Sequence, residues 1–189
     1  MKDCYKIITG NQITKDLIRQ INILDKNFFE DEYLWEYEYQ LSLFEKNKNS
    51  FVMVVKGEEL VGYINYLVIS EEKYMQMIKS ETTVDRFAVE EVLPFSKQKG
   101  NYITINSVVI SKDFQDGEVI RLLATNFKKV ITSIDEAGCK IKGMNSFAVS
   151  EHGEKLLDRW GFKKYKAMKD GSCLYILEGE PLRDYLCGV

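Results

Sequence analysis

Residues 102–134 read YITINSVVISKDFQDGEVIRLLATNFKKVITSI, and the hydrophobic period changes partway along the stretch. At Tyr102, Ile103, Ile105, Val108, Val109 and Ile110 the apolar residues are β-branched or aromatic and nearly continuous. That pattern predicts a strand buried on both faces. From Val119 onward apolar residues recur at Ile120, Leu123, Phe127, Val130, Ile131 and Ile134, the three-to-four spacing of a helix with one buried stripe. A strand therefore runs into a helix through SKDFQDGE, with Asp116 expected as N-cap. The first backbone N–H groups of such a helix have no intrahelical acceptor, and together with the helix dipole they attract anions.

Outward from this stretch, the chain reads as one domain over residues 1–189, with an insertion at about 71–100. Cys4 to Ile8 reads as a first strand, and Asn11 or Thr14 as the cap of a helix with the stripe Leu17, Ile18, Ile21, Ile23 and Leu24. Phe28 to Phe44 is dense in aromatic residues and reads as a second helix. Phe51 to Val55 and Leu60 to Ile69 form a hairpin across KGEE. A helix around Glu71 to Ile78 precedes an irregular, charged crossing that ends near Pro94. After the long helix, which Gly138 ends, CKIKGMNSFAVS makes another strand. SEHGEKLLDRWG is a short helix capped by Ser150, and Phe162 to Ala167 with Ser172 to Leu177 is a closing hairpin. The tail EPLRDYLCGV reads as weakly structured. The expected fold class is α/β (α+β), a mixed, mostly antiparallel central sheet with helices on both faces.

Composition narrows the function classes. The net charge of -3, with Lys and Arg interleaved among Asp and Glu, provides no basic face for nucleic acid. Apolar runs fall short of the ~20 residues of a membrane helix, and MKDCYKIITGNQ has no apolar block of a signal peptide, so a cytoplasmic location is expected. Cys4, Cys139, Cys173 and Cys187 are scattered and the chain has one histidine, so no metal is expected and the cysteines read as partly buried thiols. Asp85, Glu90 and Glu91 are the carboxylates available for acid or base work in the charged crossing.

Two stretches carry a family resemblance. VVISKDFQDGEVIRLL resembles the strand, aromatic residue, Gln or Arg, glycine turn and helix of the GCN5-related N-acetyltransferase (GNAT) superfamily, with Phe114 and Gln115 at the aromatic and Gln positions. SEHGEKLLDRWGFKKY is similar to that superfamily's helix ending in Gly-Phe, here Gly161 and Phe162. The resemblance implies an N-acetyltransferase that moves an acyl group from acetyl-CoA to a primary amine of a small molecule or peptide. It implies pyrophosphate on the turn Gln115, Asp116, Gly117, Glu118, Val119, Ile120 and Arg121, and a pantetheine arm along Val108, Val109 and Ile110. Ser150 stands where the family has an asparagine that contacts that arm, and Glu90 or Glu91 is the expected base, with Asp85 behind them. The chain departs from the pattern where Glu118 and Ile120 replace small residues and where Leu157 replaces a tyrosine acid. These departures support an alternative: a noncatalytic GNAT-fold binding or regulatory module that has lost efficient CoA binding. The aromatic segment Phe28 to Phe44 and the insertion Glu71 to Gly100 are expected to wall the acceptor pocket, and their carboxylates favour a cationic acceptor. Monomer and homodimer are both open at this level.

Overall fold

The computed structural model describes residues 4–29, 34–83, 86–115 and 117–188. Among these, seven strands form one sheet in the order β1-β2-β3-β4-β5-β7-β6, where β1 is Tyr5–Thr9, β2 Phe51–Lys56, β3 Glu59–Ile69, β4 Asn101–Ile110, β5 Ile141–Ala148, β6 Lys163–Ala167 and β7 Cys173–Glu178. The pairs β1–β2, β2–β3, β5–β7 and β6–β7 are antiparallel, and β4–β5 is parallel. The helices are α1 Lys15–Asp25, α2 Tyr37–Lys46, α3 Glu71–Lys79, α4 Glu118–Glu136, α5 Glu151–Arg159 and α6 Gly179–Cys187. The mixed, mostly antiparallel sheet, the strand-to-helix passage β4–α4 and the closing hairpin follow the expected order of elements. The chain divides into two compact units, residues 1–65 with 107–127 and residues 66–106 with 128–189.

In the first unit α1 starts where Thr14 Oγ1 accepts the Leu17 N–H at 3.2 Å, satisfying one of the first-turn donors. Ile18, Ile21 and Leu24 recur at helical spacing and pack with Phe44 of α2 and with Phe51, Met53, Val55 and Tyr63 of the β2–β3 hairpin. The rings of Phe44, Phe51 and Tyr63 form a chain with centroids 6.5 and 6.1 Å apart. The aromatic segment is less helical than expected. Phe28 and Phe29 lie in the turn that follows α1, their amides both bonded to Asp25 O, and α2 begins only at Tyr37.

Gly62 is the tightest point of this unit. A Cβ there would lie 2.9 Å from Val119 Cγ1 and 3.1 Å from the Val109 carbonyl oxygen, so β3 meets the end of β4 and the start of α4 only because the side chain is missing. The Ser111 N–H donates to Val61 O at 2.9 Å beside it.

In the second unit the β4–β5 ladder runs from Asn101↔Ile141 to Ile105↔Ser146, and Ser146 Oγ donates to Ile105 O at 3.0 Å where it ends. Ser70 caps α3 through the Lys73 N–H, and Tyr74 of that helix stacks on Tyr102 with centroids 4.9 Å apart. The tail differs from expectation: residues 179–187 are helical. Leu182 is buried, Thr132 Oγ1 donates to Leu186 O at 3.3 Å, and the Lys128 ammonium lies 5.3 Å from the Tyr185 ring. So short a helix is stabilised by this packing, not by its own sequence.

Gly62→Ala should destabilise the fold by about 1–3 kcal/mol, because a stiff valine methyl and a backbone carbonyl would have to move. Urea denaturation checks this, and a variant as stable as the parent would remove the close-approach account.

Candidate active site

The turn after β4 is built by local hydrogen bonds. Lys112–Phe114 form a single 3₁₀ turn closed by the Phe114 N–H donating to Ser111 O at 2.9 Å. The Phe114 ring packs edge-on to Tyr5, with centroids 6.3 Å apart, and the Lys56 ammonium lies 5.0 Å from its centre. Tyr5 and Lys56 are cross-strand partners on β1 and β2, so one ring ties the turn to that strand pair. The Lys112 ammonium lies 5.5 Å from the Phe28 ring. Asp116 lies outside the described residues. Gly117 has φ +89°, a left-handed conformation that glycine adopts without cost, and a Cβ on it would meet nothing within 4 Å. The Arg121 N–H donates to Gly117 O at 3.2 Å, which closes the first turn of α4.

Gln115, Gly117, Glu118 and Arg121 are exposed, Val119 and Val109 are buried, and Val108, Ile110 and Ile120 are half-buried. The turn therefore presents its polar residues and its glycine to the outside while Val119 anchors it inward. A first turn of this kind offers backbone donors to an anion, and the open space above Gly117 leaves room for one.

The carboxylates proposed from sequence lie in the second unit. Glu91 Oε1 accepts from Lys73 Nζ at 2.7 Å and its Oε2 from the Ala88 N–H at 2.8 Å. The Lys73 contact holds its pKa below the usual carboxylate range, which is unfavourable for a base at neutral pH. Glu90 is exposed and lines a shallow groove with Ser70, Glu72, Lys73, Gln76 and Leu93. Asp85 lies outside the described residues. Ser150 Oγ accepts the Gly153 N–H at 3.1 Å as the cap of α5, and Leu157 is a core residue. Among the described residues no cluster of three or more His, Cys, Asp or Glu is placed to hold a metal. No helix among them is long and apolar enough to cross a membrane. Cys173 is buried, Cys139 half-buried, and Cys4 and Cys187 are exposed rather than partly buried.

A buried polar cluster in the first unit was not anticipated from sequence. Asp25, the last residue of α1, is 6% exposed; its Oδ1 accepts from the Tyr63 hydroxyl at 2.5 Å and its Oδ2 from Gln40 Nε2 at 3.5 Å. Burial raises the Asp25 pKa to about 6 against the smaller opposing effect of the Tyr63 and Gln40 hydrogen bonds. Burial and the neighbouring carboxylate hold Tyr63 well above the ordinary phenol value. A sequence signal existed: Asp25 continues the stripe Ile18, Ile21, Leu24, where a carboxylate does not belong unless it is paired.

No protein-family model and no curated protein sequence matches the chain. Solved structures do. The loading GNATL domain of CurA from Lyngbya majuscula matches with a TM-score of 0.70 at 11% identity, covering 93% of this chain and 98% of that one. NAA60 of Arabidopsis thaliana in complex with acetyl-CoA matches at 0.59 and 14% identity, with 93% and 99% covered. The ribosomal-protein-S18-alanine N-acetyltransferase of Escherichia coli matches at 0.55 and 10% identity, with 94% and 97% covered. The chain has the GNAT fold.

A carboxyl whose pKa is higher folded than unfolded stabilises the fold below its unfolded value, and that stability is lost as pH rises through the folded value. For Asp25 the window runs from 3.8 to about 6 and the loss is roughly 3 kcal/mol. Asp25→Asn should therefore gain stability relative to the parent as pH rises from about 4 to about 6, with a constant difference at higher pH. Parallel urea titrations of the two proteins yield this difference, and a difference that does not change with pH would show that Asp25 does not titrate as assigned.

Proposed function

We propose that the protein is an acyl-CoA-dependent N-acyltransferase acting on a primary amine of a small molecule or peptide. The observation that carries this reading is the turn of residues 115–121: a left-handed glycine with open space above it, at the first turn of a 19-residue helix, inside a GNAT fold. Gln115, Asp116, Gly117, Glu118, Val119, Ile120 and Arg121 would hold the pyrophosphate, and Val108, Val109 and Ile110 the pantetheine arm. Arg121, exposed one turn into α4, and the ammonium groups of Lys56 and Lys112 beside the turn offset the Glu118 carboxylate.

Acetyl-CoA supplies an activated acyl group as a thioester. The chain's contribution is to orient that thioester and the amine, to take the proton of the attacking ammonium, and to leave the thiol to depart near its own pKa without a tyrosine at position 157. The acceptor is a primary amine, with a cationic one favoured by the acidic segments around residues 28–44 and 71–100.

One observation favours a second reading, a noncatalytic module of the same fold. The position of the tyrosine acid is taken by Leu157, which is in the core, and a carboxylate stands at the head of α4. Acetyl-CoA binding separates the two. At ~100 times its dissociation constant, acetyl-CoA should stabilise the protein by about 2.7 kcal/mol, several degrees in a thermal melt. No shift at millimolar acetyl-CoA would remove the enzyme reading. Glu118→Gly should tighten acetyl-CoA binding roughly fivefold in calorimetry by removing a like charge, and weaker binding would contradict the role given to Glu118.

A further inference from the structure

We propose that β6 and the hollow at its start form a docking site for an extended, acidic segment of a partner protein, which adds to the sheet edge as a further strand. The proposal is independent of the acyltransferase reading and uses none of the residues assigned to acetyl-CoA or to the base.

The edge is open. The sheet order ends at β6, so one side of its backbone is bonded to β7 and the other faces no strand. Among the described residues, no backbone hydrogen bond outside that ladder reaches Lys163–Ala167. A row of backbone donors and acceptors left in this way is a template for another strand. Lys163, Lys164, Tyr165 and Ala167 are exposed and Lys166 is half-buried. Tyr165 sits where the register with β7 shifts, and its ring is the large apolar group that this edge presents.

Charge selects the occupant. Lys163 pairs with Ile176 and Lys166 with Leu174, residues two apart on β7, so the two lysines leave the same face of the sheet. Neither has a carboxylate partner among the described residues: Lys166 Nζ donates to the Ser80 carbonyl oxygen, and Lys163 is in no ion pair. Lys164, on the other face, is paired with Glu154 at 2.7 Å. A second copy of the chain added at this edge would set its own lysines against these, the repulsion by which edge lysines prevent self-pairing. An acidic strand meets complementary charge instead.

The hollow supplies an anchor. Trp160, Pro181 and Tyr185 wall an open hollow of about 430 Å³, which Arg159 and Lys163 share with one carboxylate, Asp184. Trp160 and Gly161 lead into β6, and β7 leads into the helix that carries Pro181 and Tyr185, so the hollow stands at the start of the edge. Side chains two apart on an added strand share a face. A segment that sets acidic side chains against Lys163 and Lys166 therefore brings the next residue of that face to the hollow, where an aromatic ring buries area against Trp160 and Tyr185. The recognised pattern is acidic, any, acidic, any, aromatic, read in the direction that the added strand takes.

The probe is a dye-labelled peptide with blocked ends, Phe-Thr-Glu-Val-Glu-Thr-Phe, which reads the same both ways and leaves strand direction free. Binding to the whole chain is followed by fluorescence anisotropy and located by amide hydrogen exchange. The acidic probe should bind and slow exchange at residues 163–167. Its counterpart with Lys for both Glu should bind about 10-fold more weakly. N-methylation of two adjacent central amides should cost about 10-fold as well, since adjacent amides point to opposite sides and one of them must face the edge. Lys163→Glu combined with Lys166→Glu should reverse the preference between the two peptides, and Lys163→Glu alone, at an exposed position, should shift it the same way if the double variant fails to fold. No binding of the acidic probe at ~1 mM would overturn the proposal, as would equal binding of the lysine or methylated peptide, or exchange slowed elsewhere and not at β6. A dimer in sedimentation with residues 163–167 already protected would also overturn it, by making a second copy the occupant. Acetyl-CoA binding is a separate measurement on the same protein, so a failure here leaves the acyltransferase reading standing.

Discussion

The missing side chain of Gly62 is the constraint on which the candidate site depends. β3 lies against the end of β4 and the start of α4 at a distance that no Cβ would tolerate, with Val109 O and Val119 Cγ1 both inside contact range of where one would stand. That approach buries Val119 at the start of α4, one end of the turn that begins at Phe114. The Phe114 ring, held between Tyr5 and Lys56, ties the other end of the same turn. The anion site proposed for this turn's backbone amides would depend on the rigidity of the segment that carries them, and Val119 and Phe114 are held by packing on either side of it.

The same strand carries the buried polar cluster. Tyr63 follows Gly62 by one residue, so its side chain leaves the opposite face of β3, toward α1 and α2. There it donates to Asp25, which also accepts from Gln40, among Ile21, Leu24, Phe44 and Phe51. A carboxylate in such surroundings lowers stability at neutral pH. Glu91 illustrates the contrary case: paired with Lys73 and accepting a backbone N–H, it is stabilised as an anion and caps a 3₁₀ turn.

Much of the fold was legible because it follows from local periodicity and punctuation. The switch from a continuous β-branched run to a helical stripe at residues 102–134, the caps Thr14 and Ser150, and the hairpin around Gly57 each follow from a few neighbouring residues. The α6 helix was not legible: a nine-residue segment with one buried leucine lacks the length to form alone, and contacts with Lys128 and Thr132 supply what it lacks. The shortened α2 has a similar cause, since Phe28 and Phe29 are drawn into the turn closed on Asp25 O before the helical pattern can begin.

By itself the sequence determined the order of the elements as far as β7, the mixed sheet and the passage from β4 into α4, because hydrophobic period, capping residues and a glycine at a left-handed position are properties of adjacent residues. It could not decide which carboxylates are ionised, paired or buried. That depends on what residues 38 positions apart bring to each other, as Asp25 and Tyr63 do, and a pKa is set by the dielectric and the hydrogen bonds of the assembled surroundings. Only the tertiary structure, by folding α1 onto β3, separated a structural glutamate from a carboxylate poised near neutral pH.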